Sequence, residues 1–466
     1  MTCRLLGVAG FALAAHALFC QATWHYVDGG VSSEIRDMFY EPVSNRIYCV
    51  GRFVQAGDNV VNGTAYWDGS AWHPMGNGID NAFVFPPVQC ESIGADSVMV
   101  SGFFHTAVGT PDTRGTALWD GSDWRSIGPR GSRGIVWGML TNEDGLTVAG
   151  EFDTIAGLPY KSISRYRDGS WEELCAYPRN EDIYSYSAIA KHDGKYVFGG
   201  NLNFSPIREL GWLDGDTLRR LGPGIQGDSW VNALTVYNGE LYVGGEFNYS
   251  PTGNAASFLM AWDGTSFRDP LPGIDFTTQV LRFDLRNGEL FISGRCAIPN
   301  TLGYYGLVRF DGERVCLYAE NVNVVFRAIA STGTELFAAP NMITLGLGGD
   351  TVNYIVRYDL TQPADTCFAI ATGIPETPTP TQNWSVRIDP VMHAFVLHTV
   401  QGSSERADLE IRDALGRFLL VESIPAIAAS ASYTGTLPPC ASGTYALTIR
   451  PKRGGRQETI RFVLVE

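Results

Sequence analysis

The stretch Leu241-Tyr242-Val243-Gly244-Gly245-Glu246-Phe247 runs apolar residues into a glycine pair, and Leu259-Met260-Ala261-Trp262-Asp263-Gly264 runs a second apolar segment into Trp-Asp-Gly. The second glycine recurs at Gly51, Gly102, Gly150, Gly200, Gly245 and Gly294, with Ala339 in a degraded last copy. The steps are 51, 48, 50, 45, 49 and 45 residues, a period that belongs to solenoids, propellers or arrays. The text inside each copy selects among them. The first run is apolar at successive positions, as in Ile47 to Val50 and Leu290 to Ile292, which predicts a strand buried on both faces. The second run closes on an Asp-Gly that starts at Asp68, Asp120, Asp168, Asp214, Asp263 or Asp311. Asp-Gly between strands predicts a tight hairpin whose two central residues take positive φ. A bulky residue (Trp72, Trp124, Trp171, Leu218, Phe267, Val315) opens the next strand. Four short antiparallel strands in each of seven copies predict an all-β chain built as a seven-bladed β-propeller. The glycine pairs are expected where the chain leaves an inner strand and a Cβ would crowd a neighbouring blade.

Either end of the repeat region can close the ring. Trp24-His25-Tyr26-Val27 reads like the outer strand Trp72-His73-Pro74-Met75, and Cys367 to Ile370 is the competitor. Trp24 matches the pattern better, so the N-terminal strand is expected to complete the seventh blade. The propeller then occupies residues 23–373. Residues 374–384 form a Pro/Thr linker, extended and stiff. In residues 385–466 the apolar positions alternate, with Leu409 and Ile411, then Tyr445, Leu447 and Ile449, then Ile460, Phe462 and Leu464. That alternation predicts half-buried antiparallel strands and a small Ig-like β-sandwich.

At the N-terminus, Arg4, the apolar run Leu5 to Phe19 and the small residues of Cys20-Gln21-Ala22 read as a signal peptide over residues 1–22. A lipoprotein reading of Cys20 needs a small residue where Phe19 stands. No other segment is long and apolar enough to span a membrane. The net charge is −15, which repels phosphate backbones and argues against a nucleic-acid partner. With Cys3 and Cys20 removed, Cys49, Cys90, Cys175, Cys296, Cys316, Cys367 and Cys440 remain, with no C-x-x-C spacing for zinc. One or two disulfides are expected in an oxidising compartment, their pairing open, and the odd count leaves a free thiol.

Chemistry is sparse. There is no Gly-x-Ser-x-Gly elbow, phosphate loop or His-Glu-x-x-His. His25, His73, His105 and His192 fall in different copies without paired spacing, so no metal or other cofactor is implied. The repeated Asp reads as a turn residue, the Asp-box form is absent, and no arginine triad stands out. Glu151 and Glu246 hold equivalent positions after the glycines and are candidates for contacting a cation or sugar hydroxyls. Their copies are not adjacent, whereas a paired acid/base role needs carboxyls roughly 5–10 Å apart. Tyr249, in the long segment after Phe247, is a candidate for stacking on a sugar or peptide.

The copies resemble Kelch and galactose-oxidase-like propellers in plan. They are closer to bacterial exported repeats reading apolar-Gly-Gly-x-Phe, then apolar-Trp-Asp-Gly-x-x-Trp-x-x-Leu-Gly, over residues 24–373. Residues 385–466 resemble the type A sorting domain of the type IX secretion system of Bacteroidota. The matching text is Leu409-Glu410-Ile411-Arg412-Asp413-Ala414-Leu415-Gly416-Arg417, Leu437-Pro438 and Ser442-Gly443-Thr444-Tyr445-Ala446-Leu447-Thr448-Ile449. Asp413, Gly416, Arg417, Gly443 and Tyr445 carry the motif. The chain departs from the family pattern in keeping one proline, Pro390, of an opening Tyr-Pro-Asn-Pro, and in lacking a terminal lysine. Asp-Ser/Thr-aliphatic triplets at Asp96, Asp153, Asp216 and Asp350 resemble the O-glycosylation motif of the same bacteria. These resemblances imply export through both membranes, with the type IX machinery as partner of residues 385–466. The expected product is a secreted or cell-surface, non-catalytic propeller that binds glycan or protein. The alternatives are a polysaccharide hydrolase or lyase acting in the funnel and a structural surface component.

Overall fold

The computed structural model describes residues 24–175, 185–202, 207, 209–225, 229–247, 258–298, 304–319, 325–340, 344–345, 350–351, 353–369, 384–389, 394–399, 406–413, 417–426, 432–437, 443–451 and 458–464. The leader at 1–22, linker residues 374–383, Tyr249 and Gly416 lie outside these.

Among the described residues all regular structure is strand. Seven sheets begin on the inner strands Ile35–Glu41, Pro87–Gly94, Arg133–Asn142, Ser185–His192, Trp230–Tyr237, Asp275–Arg286 and Phe326–Ser331, which define blades one to seven. Each inner strand touches those of the two neighbouring blades, and the seventh touches the first. The ring has no single core. It has an apolar cluster at each junction, for example Tyr48, Val50, Cys90, Val98 and Trp119 between blades one and two. Ile47, Phe53, Ala328 and Phe337 share the cluster between blades one and seven. Every middle strand therefore faces apolar neighbours on both sides, which is why its residues are apolar in succession. The large aromatics sit in these junctions. The indole N–H groups of Trp72, Trp124 and Trp171 donate to the carbonyls of Val27, Met75 and Ile127 at 3.3, 2.8 and 3.1 Å, binding each outer strand to the chain just before its blade.

The glycines of blades one to six lie at or near the end of the second strand, not on the inner strand. Gly51, Gly102, Gly150, Gly200, Gly245 and Gly294 stand opposite Ile35, Pro87, Val136, Tyr186, Val231 and Val280. At that level the inner strand bulges, leaving one residue outside the ladder. A Cβ on Gly51 would lie 2.2 Å from the Glu34 carbonyl oxygen, and one on Gly245 2.0 Å from that of Trp230. The second glycine thus makes room for its own blade's bulge. The crowding expected from a neighbouring blade applies to the first glycine: a Cβ on Gly199 or Gly244 would lie 2.4 Å from Val231 Cγ1 or Val280 Cγ1. In blade seven the register places Pro340, not Ala339, opposite Phe326, so the degraded copy is offset by one residue.

The Asp-Gly turns are also mostly longer than expected. Asp168 and Gly169 both have positive φ (51° and 78°) in a two-residue turn between Arg167 and Ser170. In blades one, two, five and six the loop has four residues, and among its residues only the glycine has positive φ. There the aspartate accepts N–H bonds from the residues two and three ahead, as Asp68 does from Ser70 and Ala71, both at 2.8 Å. These bonds hold the Asp68 and Asp120 carboxyls well below the usual range and Asp263 at about 2.

Trp24–Tyr26 pairs with Val356–Asp359 and completes blade seven, as the better match of Trp24 predicted. The competing strand, Thr366–Ala369, becomes a fifth strand on blade six, held to Arg314–Tyr318 by the disulfide Cys316–Cys367. Cys49, Cys90, Cys175 and Cys296 are free and buried. The bridge closes a loop spanning 51 residues. For a loop of that size chain entropy gives about 4 kcal/mol. Replacing both cysteines by serine is expected to lower the unfolding free energy by about 2–4 kcal/mol in chemical denaturation under non-reducing conditions.

In the C-terminal part, Trp384–Asp389, Ala394–Thr399 and Ser432–Thr436 form one sheet, and Ala407–Asp413, Phe418–Ile424, Gly443–Pro451 and Glu458–Leu464 form another. The two sheets share one core: Phe395 and Leu397 come from the first, and Leu409, Ile411, Tyr445, Leu447 and Ile449 from the second. The first strand opens at Trp384, one residue ahead of the boundary drawn from the sequence.

Candidate functional site

Ser187 Oγ donates to Val231 O at 2.6 Å, and Asn232 Nδ2 to Val280 O at 3.1 Å. These bonds join matching levels of successive inner strands, so the strands run in the same sense around the channel. Tyr237 OH donates to Gly288 O at 3.0 Å and ties the far end of one inner strand to the hairpin that follows the next. The N-terminal ends of the inner strands therefore gather at one end of the ring, together with the loops that follow the glycines. This end is the channel mouth. In six blades the ladder skips one residue at this level: Arg36, Val88, Trp137, Ser187, Asn232 and Arg327. Blade six carries a longer irregularity from Phe276 to Arg282. Val88 is buried, whereas the other five are partly exposed and differ from blade to blade.

Between blades six, seven and one the mouth is cationic. Arg36 Nε donates to Glu34 Oε1 at 3.0 Å, Arg52 Nε lies 3.1 Å from the same oxygen, and Arg327 Nε lies 3.9 Å from Glu34 Oε2. Arg282 Nε is 3.6 Å from Asp37 Oδ1. The sequence showed no arginine triad, yet the fold assembles four arginines around two carboxylates. The cluster was hidden because its members are 36, 52, 282 and 327 in sequence and meet only when the ring closes. A usable signal was present: Arg36 and Arg327 hold the same place relative to the position paired with the end of the second strand, visible once the copies are aligned on inner strands as well as on glycines.

Deeper in the channel, carboxyls bridge neighbouring inner strands. Asp37 accepts from Cys90 N at 3.0 Å, Glu91 from Thr141 N at 3.2 Å and Asp284 from Ser331 N at 2.7 Å. Enclosure by the inner strands raises all three, Glu91 to about 8 and Asp284 to about 6, although both keep some access to the channel. Native Glu91 holds its proton up to pH about 8, while the unfolded chain releases it near 4.5. Its contribution to stability is therefore complete below 4.5 and lost as pH rises through 8. Glu91→Gln keeps an acceptor for Thr141 and is expected to flatten the decline in stability across pH 4.5–8. At pH 8 the variant should exceed the wild type by about 1–2 kcal/mol, measured by urea denaturation at each pH.

The candidates read from sequence are not brought together. Glu151 belongs to blade three, where Trp137 Nε1 donates to its Oε1 at 3.2 Å. Glu246 is exposed in blade five, opposite Trp230. Blade four lies between them, and Tyr249 is outside the described residues. The histidines have local partners: His192 Nε2 lies 2.9 Å from Gly239 O, His73 Nε2 2.7 Å from Asp68 Oδ2, and His105 packs on Phe85. Among the described residues no three His, Cys, Asp or Glu side chains are grouped to hold a metal ion. In the sandwich, Asp413 pairs in register with Tyr445, whose ring is buried in the core. Gly443 opens the strand that carries Tyr445, and Arg417 is exposed at the start of the preceding one.

No protein-family model matches the chain, and no curated protein matches it. Solved structures match it at low similarity. PorZ, a surface component of the type-IX secretion system of Porphyromonas gingivalis, is 11% identical, with TM-score 0.31 over 91% of this chain and 68% of that one. The β-propeller domain of Myceliophteria thermophila Cps50 (Swd1) is 12% identical, with TM-score 0.36 over 72% and 99%. The endosialidase of phage phi92 is 12% identical, with TM-score 0.33 over 95% and 87%. At such similarity these likenesses carry no argument, and the propeller reading stands on the ring of seven sheets itself.

Proposed function

We propose that the chain is an exported, non-catalytic propeller that binds an extracellular ligand with the channel mouth, and that residues 385–466 direct its secretion through the type IX machinery. One observation carries the binding half. Five of the six bulged inner strands set a partly exposed residue at the mouth, Arg36, Trp137, Ser187, Asn232 and Arg327, which differ from blade to blade, while Val88 of the sixth is buried and the junctions are apolar throughout. A repeat that is uniform in its packing and varied at one face places its specificity on that face. The channel carboxyls with raised pKa do not favour catalysis, because Asp37, Glu91 and Asp284 each already accept a backbone N–H of the next inner strand. The secretion half is supported by the resemblance of residues 409–417 and 442–449 to the sorting domain. An array of glycans and extracellular proteins probed with the purified chain tests the first half: binding without turnover is expected, and release of reducing ends from a bound polysaccharide refutes it. Expression without residues 385–466 tests the second half, with retention inside the cell expected and normal export overturning it.

A further inference from the structure

We propose that the arginine sector of the mouth binds the carboxylate or sulfate groups of an acidic polysaccharide; this deepens, and rests on, the reading of the mouth as the binding face. Three guanidinium groups from blades one and seven converge on one carboxylate, Glu34, and a fourth, from blade six, faces Asp37. Four cations against two carboxylates leave an excess of positive charge, in a chain with 49 acidic and 34 basic residues. Each guanidinium offers five donors in a planar fork that matches a carboxylate or sulfate, and Glu34 has only two oxygens to offer. The side chains of Arg52 and Arg327 are 40% and 44% exposed, so their outer N–H groups remain open to an incoming anion. Their Nε atoms are buried and lack a hydrogen-bonding partner in line with the N–H. Burial, together with repulsion from Arg36, Arg282 and Arg52, pushes Arg327 below its usual value against the opposing pull of Glu34. A bound anion relieves that repulsion. Glu34 marks the geometry such a group would adopt.

Flat rings at the same end favour a sugar chain over a peptide. Trp137, at the bulge of blade three, meets Phe103 edge-on at 5.5 Å. Trp230 and Tyr304 are each 40% exposed, and Arg295 lies 4.0 Å over the Tyr304 ring. Such rings stack on the apolar faces of pyranoses, while the arginines between blades six and one take the acidic substituents.

Calorimetry on the full chain tests this with hexagalacturonate, chondroitin sulfate hexasaccharide, maltohexaose and hexaglutamate, each at low and high NaCl. An acidic hexasaccharide is expected to bind, at least tenfold more weakly in high salt, and maltohexaose is expected not to bind at the same concentration. Preference for the galacturonate assigns carboxylate as the recognised group, and preference for the sulfate assigns sulfate; both support the proposal. Arg327→Gln and Arg52→Gln are each expected to weaken binding tenfold or more at unchanged Tm, and Arg327→Lys less. Should Arg327→Gln lower Tm, Arg52→Gln, whose side chain is well exposed, decides the matter. Equal binding of maltohexaose, or arginine variants within twofold of wild type, overturns the anionic assignment and leaves the mouth as a binding face. Hexaglutamate binding as tightly as the best sugar overturns the glycan assignment. If array ligands do bind but mouth substitutions at Trp137, Trp230 and both arginines leave every one unaffected, the reading of the mouth itself fails.

Discussion

Alanine at Gly245 is expected to cost about 3 kcal/mol of folding stability, whereas alanine at Gly294 is expected to cost under about 1 kcal/mol. The two glycines hold the same place in blades five and six and look alike in sequence. A Cβ on Gly245 would lie 2.0 Å from the Trp230 carbonyl oxygen and 3.0 Å from the carbonyl carbon. These are backbone atoms of the bulge, and moving them shifts the inner strand on which both neighbouring blades pack. At Gly294 the nearest atoms are Phe276 Cδ1 at 3.1 Å and Gln279 O at 3.3 Å, because the inner strand of blade six departs from the ladder over a longer span. A ring can yield there by a few tenths of an ångström. Gly239, in an exposed hairpin with φ 82° and nothing within 4 Å of a Cβ, supplies the third point. Its cost is conformational, about 1 kcal/mol. Urea denaturation of the three variants separates the causes: equal losses at Gly245 and Gly239 would mean that backbone freedom, not the close approach, explains the pair.

The second large effect concerns closure. Removing residues 24–27 is expected to destabilise the ring by about 4 kcal/mol. Val27 is buried in the junction between blades one and seven, Trp24 packs against the junction between blades six and seven, and the Trp72 indole donates to Val27 O. Burial of the two side chains contributes about 1.5–3 kcal/mol each and the hydrogen bond about 1 kcal/mol, less a part kept by the compact unfolded chain. The deletion also leaves Val356–Asp359 as an unpaired edge, open to pairing with another chain. Strand 366–369, by contrast, adds a fifth member to a sheet that already has four, and it is held there by the disulfide and by buried Phe368. The measurement is the denaturation midpoint together with the oligomeric state by light scattering. A ring shortened by residues 24–27 that stays monomeric and as stable as wild type would sink the account of closure.

What could be read beforehand divides along one physical line. Local rules act within a few residues, and they exposed the glycines, the Asp-Gly turns, the doubly buried strands and the fitness of Trp24 to close the ring. The bond from Asp68 to Ser70 and Ala71 belongs to this class. The offset of Pro340 did not, because only pairing with Phe326 fixes which residue of that copy stands at the bulge. The bond between Cys316 and Cys367 was equally hidden, since either cysteine has several partners until the C-terminal strand folds back on blade six. Glu151 and Glu246 are equivalent within the repeat, and equivalence in a ring separates residues: theirs lie in blades three and five. The arginines that converge are those from blades brought together by closure.

The bulge opposite each glycine has one more consequence. It uncouples two demands that most β-proteins must satisfy with the same side chains. Residues in the ladder answer to their neighbours in the junction clusters, while the released Arg36, Trp137 and Arg327 are partly exposed and belong to none of those clusters. Substitution at Trp137 can therefore rewrite the mouth while leaving the junction clusters intact. The ring becomes a keyboard of addressable positions on a constant frame, suited to divergence among duplicated relatives and to the grafting of new recognition chemistry one blade at a time.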